Sequence, residues 1–96
     1  MPINIAQIRF SIGQMVATPG ALAALDNAHQ TTSEILFRHQ TGDWGDLSEE
    51  DKAENEYSVD KRLRIFSAYI LSTGVKIWVI TEADRSVTTI LLPSEY

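Results

Sequence analysis

The sequence predicts an α+β domain in which a short N-terminal strand and two to three helices precede a three-stranded antiparallel meander. Three observations carry this prediction. The last third, LRIFSAYILS, VKIWVIT and SVTTILL, is rich in β-branched and aromatic residues and is divided by Ser72-Thr73-Gly74 and by Glu82-Ala83-Asp84-Arg85. The middle carries helix-start signals at Thr18-Pro19, at Thr31 to Glu34 and at Ser48 to Asp51. At the N-terminal end, Ile8, Phe10 and Ile12 alternate with Arg9, Ser11 and Gly13, the period of a half-buried strand.

The first strand is therefore placed over Ile8 to Ile12. Thr18 as cap and Pro19 at the first helical position start a helix to about Ala28, with Ala21, Leu22, Ala24, Leu25 and Ala28 as its apolar side. Thr31 and Glu34 form a capping box for a second helix ending near His39 or Gln40, before Gly42 and Gly45. Ser48 caps a third helix whose first turn, Glu49-Glu50-Asp51, suits the positive end of the helix dipole. That helix is mostly polar, so it is expected at the surface to about Val59, with Leu47, Ala53, Tyr57 and Val59 turned inward.

Ninety-six residues suffice for one domain, 1–96, and the 44% hydrophobic and 22% charged content is that of an ordinary globular chain. With no cysteine there is no disulfide or thiolate metal site, and the cytoplasm is the expected compartment. No leader pattern opens the sequence and no apolar run reaches the roughly 18 residues of a membrane span, so no membrane partner is expected. A net charge of −5 opposes general nucleic-acid binding, which depends on Lys and Arg that displace counterions. Lys61, Arg62 and Arg64 are basic, but they follow eight acidic residues between Asp43 and Asp60 and balance them. Open strands at the edges of a small sheet favour self-pairing, which makes a homodimer the expected assembly.

The chemically loaded segment is FRHQTGDWGDLSEEDKAEN, Phe37 to Asn55. Arg38, His39, Asp43, Trp44 and Asp46, joined by Glu82, Asp84 and Arg85 from the last hairpin turn, are the candidate ligand-binding residues. His39, Asp43, Asp46 and Asp51, with Glu82 and Asp84, are types that bind oxygen-preferring divalent ions, yet their spacing is not that of a calcium loop. Capping and turn formation account more simply for Asp43, Asp46 and Asp51, so neither a metal nor a cofactor is assigned. For His39 the simpler role is a helix-end histidine rather than a general base, and for Trp44 a plug beneath the loop rather than a stacking platform. Arg85 suits a carboxylate or phosphate fork, and a pairing with Asp43 or Asp46 is as well supported as a ligand.

RHQTGDWGDLSEEDKAEN and KIWVITEADRSVTTILLPSEY resemble a family of small proteins carried on bacterial plasmids and mobile elements. The resemblance spans Phe37 to Tyr96. It implies a plasmid-associated bacterial protein and carries over no catalytic residue. The element order also resembles small ribosome-dependent RNase toxins, but those are basic where this chain is acidic, so that likeness bears on fold alone. The reading reached is a small non-catalytic binding or regulatory protein for an unidentified protein or small-molecule partner, with Arg38 to Asp51 and Glu82 to Ser86 forming one polar surface. The alternative is a metal-dependent phosphodiesterase or nuclease using His39, Asp43 and Asp46.

Overall fold

Thr18, Thr31 and Ser48 each turn a hydroxyl back onto the backbone N–H three residues ahead, at 3.1 Å in every case, and each begins a helix. These are α1 (Pro19–Asn27), α2 (Thr32–Gln40) and α3 (Glu49–Lys61). Glu34 completes the capping box by accepting from the Thr31 N–H. The computed structural model describes residues 7–96; residues 1–6, the start of the segment expected to lack a leader pattern, lie outside the described residues. Among the described residues no helix is long and apolar enough to cross a membrane.

The expected meander is present as β2 (Ile65–Ile70), β3 (Lys76–Thr81) and β4 (Val87–Leu91), paired antiparallel. The sheet is nevertheless four-stranded and partly parallel. β1 (Gln14–Ala17) joins β4 in parallel register, giving the order β1-β4-β3-β2. The first strand thus lies a few residues later than Ile8 to Ile12. The alternation there marks burial for two of its three residues: Phe10 is buried and Ile12 packs against the core, whereas Ile8 is exposed, and the partners are not a ladder. The Arg9 N–H donates to the Gln40 carbonyl and the Gln40 amide to the Phe10 carbonyl, tying the segment to the end of α2. Gly13 then turns the chain onto β4 with φ at +62°, where a Cβ would strike the carbonyls of Arg85 and Ser86.

All three helices lie on one side of the sheet. Ala21, Ala24 and Leu25 of α1 and Ile35 and Leu36 of α2 pack on Tyr69, Ile77, Val79 and Ile90. A second cluster gathers Phe10, Trp44 and Ile65, with Leu47 and Val59 against it.

α3 departs most from the expected inward face. Tyr57 is 55% exposed and Ala53 is exposed, whereas Asn55 and Ser58 are buried. The reason is that α3 runs beside the outer edge of β2, where the need is for hydrogen bonds rather than apolar surface. The Asn55 amide donates to the Phe66 carbonyl at 2.6 Å and its oxygen accepts the Phe66 N–H at 3.1 Å. Two residues along, the Ala68 N–H donates to the Trp44 carbonyl and the Ala68 carbonyl accepts from the Asp46 N–H. Gly45 sits between with φ at +77°, because a Cβ would collide with the Ala68 carbonyl. Side chain and loop together seal this edge at Phe66 and Ala68.

Asn55→Ala would leave both Phe66 groups unpaired in a place that α3 shields from water. It is expected to lower stability by about 1–3 kcal/mol in urea denaturation, while Tyr57→Ala, on the outward side of the same helix, should change it by less than about 0.5 kcal/mol.

Candidate functional site

The sheet presents Ser67, Thr81 and Thr88 toward the helices, three hydroxyls fully buried among apolar side chains. α2 supplies the group that satisfies them. His39 is 0% exposed, with Nδ1 2.6 Å from the Ser67 hydroxyl and Nε2 2.9 Å from that of Thr81. The direction of this chain follows from its far end. The Ile12 carbonyl only accepts, so the Thr88 hydroxyl donates to it at 2.8 Å, and Thr88 in turn accepts from Thr81 at 2.7 Å. Thr81 therefore accepts from a protonated Nε2, and the bare Nδ1 accepts from Ser67. Every proton is placed with the imidazole neutral. Burial, and after it the nearby Arg85 cation, lower the His39 pKa to about 3.

The rings of Phe10 and Trp44 close around this histidine. Phe10 meets it edge-on at 5.2 Å and Trp44 at 6.1 Å, while Phe10 and Trp44 stack at 6.2 Å. Trp44 is 4% exposed and its indole N–H donates to Glu56 Oε2 at 2.9 Å. Arg9 grips the same carboxylate with two N–H groups, at 2.9 and 2.7 Å. The Arg9 fork, with a smaller contribution from the indole, holds Glu56 below the usual carboxylate range.

Arg85 completes the group from the other side and pairs with neither Asp43 nor Asp46. Only 8% exposed, it has φ at +62° and its guanidinium lies 5.6 Å from the Phe10 ring. It donates to the carbonyls of Leu63 at 2.7 Å and Ser58 at 3.0 Å, and to those of Glu82 and Ala83 at 3.2 Å. The first two belong to the C-terminal end of α3 and the residues after it, where the negative dipole end favours a cation; the Ser58 carbonyl also accepts from the Leu63 N–H. Arg85 is a helix clamp.

The acidic candidates point elsewhere. Asp43 accepts from Arg38 Nε at 2.7 Å, and that bond holds it below the usual carboxylate range. Its backbone carbonyl takes the Tyr69 hydroxyl at 2.6 Å, with Arg38 4.5 Å above the Tyr69 ring. Asp46 is exposed beside Lys76 at 3.6 Å, and Glu82 beside Arg64 at 3.5 Å. Asp84 is bonded by the Ser86 hydroxyl at 2.6 Å, which lowers its pKa. The eight candidates thus divide: His39, Trp44 and Arg85 converge in the interior, and the other five are spread over the surface. Among the described residues no three His, Cys, Asp or Glu side chains lie close enough to hold a metal ion. With His39 internal and both its nitrogens occupied, the constellation for metal-assisted hydrolysis is not assembled.

The concave surface lies on the opposite side of the sheet and, apart from Glu82, uses residues outside the sequence candidates. Among the described residues no helix covers that face; there the short 3-10 turn Pro93–Glu95 leads into Tyr96, which lies against it. The registers place Val16, Thr89, Ile80 and Phe66 in one cross-strand row and Leu91, Trp78 and Ala68 in the next. Phe66 meets Trp78 edge-on at 5.1 Å, Trp78 meets Tyr96 at 5.7 Å, and Arg64 Nη1 donates to the Tyr96 hydroxyl at 3.0 Å. Arg64, Phe66, Trp78, Ile80 and Tyr96 line a shallow pocket of about 190 Å³, which adjoins one of about 140 Å³ over Glu82, Thr89 and Leu91. The sequence did carry a signal for it. In RIFSAYIL and KIWVI large apolar residues fall on both parities, so both strand faces are apolar, although among the described residues three α-helices are present to cover them.

The buried imidazole has a pH signature. The unfolded chain protonates His39 near its ordinary value of about 6.5, the folded chain only near 3. The stabilisation is therefore complete above about pH 6.5 and is lost as pH falls toward 3. Denaturant titrations should show about 2 kcal/mol lost between pH 7 and pH 5, and His39→Gln should flatten that slope. An unchanged slope in a folded His39→Gln would refute a neutral buried imidazole. Compared with known proteins, the chain matches no family model, no curated protein and no solved structure.

Proposed function

We propose that this protein is a small non-catalytic binding module whose helix-free sheet face receives an aromatic or branched apolar side chain from a protein partner. The carrying observation is the pocket between Arg64, Phe66, Trp78, Ile80 and Tyr96. Its shape favours a side chain over a small molecule. Alone, at about 190 Å³, it is below the roughly 300 to 1,000 Å³ of small-molecule sites, and with the adjoining depression of about 140 Å³ it only reaches the lower end of that range, whereas a single large side chain suits it. Half-buried aromatics such as Phe66 and Trp78, in a shallow depression with a charged side chain at its edge, are the usual anchor points of protein contacts. Arg64 stands at the rim, held by Tyr96 and only loosely by Glu82, which leaves it donors for a partner carbonyl or carboxylate.

The reading opposed to it, a metal-dependent phosphodiesterase using His39, Asp43 and Asp46, finds less support: its proposed base is sealed in the core and its carboxylates are engaged elsewhere. The likeness of RHQTGDWGD and WVITEADRSVTTILLP to plasmid-carried proteins adds, within this proposal, a regulatory setting on a mobile element in the bacterial cytoplasm.

Peptides selected from a random library against the immobilised protein are expected to share an aromatic or branched anchor. Removing one large anchoring contact typically costs about 2 kcal/mol or more, so Trp78→Ala or Phe66→Ser should weaken them at least about tenfold with circular dichroism unchanged. Peptides that bind folded Trp78→Ala and Phe66→Ser proteins as tightly as the wild type would overturn the assignment.

A further inference from the structure

The two edges of the sheet are treated in opposite ways. On β2 the outward N–H and C=O groups of Phe66 and Ala68 are taken by Asn55, Trp44 and Asp46. On β1 the N–H groups of Gln14 and, just past the strand, Thr18 point to β4, so those of Gly13, Met15 and Ala17 point away from it. Among the described residues no backbone group pairs with Met15 or Ala17 on that side. Met15 is 40% exposed and Val16 42%. Natural edges are normally guarded by lysine, proline or a bulge, and Gln14-Met15-Val16-Ala17 has none of these.

We infer that β1 pairs with β1 of a second copy of this chain, antiparallel about a two-fold axis, to make one continuous eight-stranded sheet. The pairing is self-complementary. Met15 faces Met15 of the second copy and each exchanges N–H for C=O, while Gly13 and Ala17 face one another on either side. Charge selects this occupant and this place. Two chains of −5 repel over most of their surface, but the segment Phe10 to Leu25 carries no Asp, Glu, Lys or Arg; the Glu95 carboxylate, held by the Thr18 hydroxyl, stands at the end of β1, and the strand itself is the uncharged part of this edge. In this register Val16 lies beside Gln14 of the second copy, both on the helix-free side, so the helix-free faces of both copies form one surface. Four residues a side is small against the roughly 20–30 of a standard interface, so the dimer is weak and its population depends on concentration.

Sedimentation velocity over a concentration series is expected to show monomer–dimer exchange. Raising ionic strength from about 0.01 to about 0.15 M, which shortens the Debye length from about 30 to about 8 Å, should strengthen the association. The amide that Met15→Pro removes points away from β4, so the variant should keep its circular dichroism and run as a monomer. Val16→Lys, which leaves the backbone intact and adds like charge at the join, is the second variant and should do the same. A wild-type chain that stays monomeric at millimolar concentration overturns the inference, as does a dimer that persists in folded Met15→Pro or Val16→Lys.

Discussion

Three hydroxyls turned into an apolar interior need partners, and one histidine supplies them. Ser67, Thr81 and Thr88 lie on three strands, and Ile12 on the segment before β1; His39 of α2 closes the line that joins them all. Buried polar atoms left unpaired are expensive, and among the described residues no buried side-chain nitrogen or oxygen lacks a partner. Position therefore follows from chemistry. α2 must place its last turn over the middle of the sheet, and Phe10, Trp44 and Arg85 fill the space around the ring. The loop Gly42 to Asp46, which looks like an active-site loop, is held where it is because Trp44 belongs to this enclosure.

Local signals were legible in the sequence because their causes are local. The caps at Thr18, Thr31 and Ser48, the proline at the start of α1 and the three C-terminal strands depend on residues a few positions apart. Long-range pairing was not. Phe10 and Ile12 show burial by alternation, but whether a buried extended segment joins a sheet or lies beside one depends on partners dozens of residues away. Asn55 illustrates the same limit. A lone amide in the acidic run of α3 gives no hint that it will meet the Phe66 backbone.

The residues most conspicuous in the sequence have structural roles in the fold. Arg38, His39, Asp43, Trp44, Asp46 and Arg85 were conspicuous because polar and aromatic residues cluster there, and the clustering has structural causes: a capped strand edge, a clamped helix end and a satisfied core. Phe66, Trp78 and Ile80 looked like ordinary strand residues. Their meaning appears only when helices are counted against sheet faces, since among the described residues three helices lie on one side and none covers the other. Apolar residues that fold with no second layer above them say more about contact with other molecules than the charged loop does.

The sealed edge of β2 also governs how far assembly can go. A sheet with two open edges can add copies without end, the geometry of fibrils. Here the loop and Asn55 close β2 at its centre, so this sheet has a single direction of growth. A two-fold contact at β1 would consume it. The molecule that remained would expose no further strand to recruit a third chain, and an acidic run that resembles a catalytic loop would serve as a stop against polymerisation.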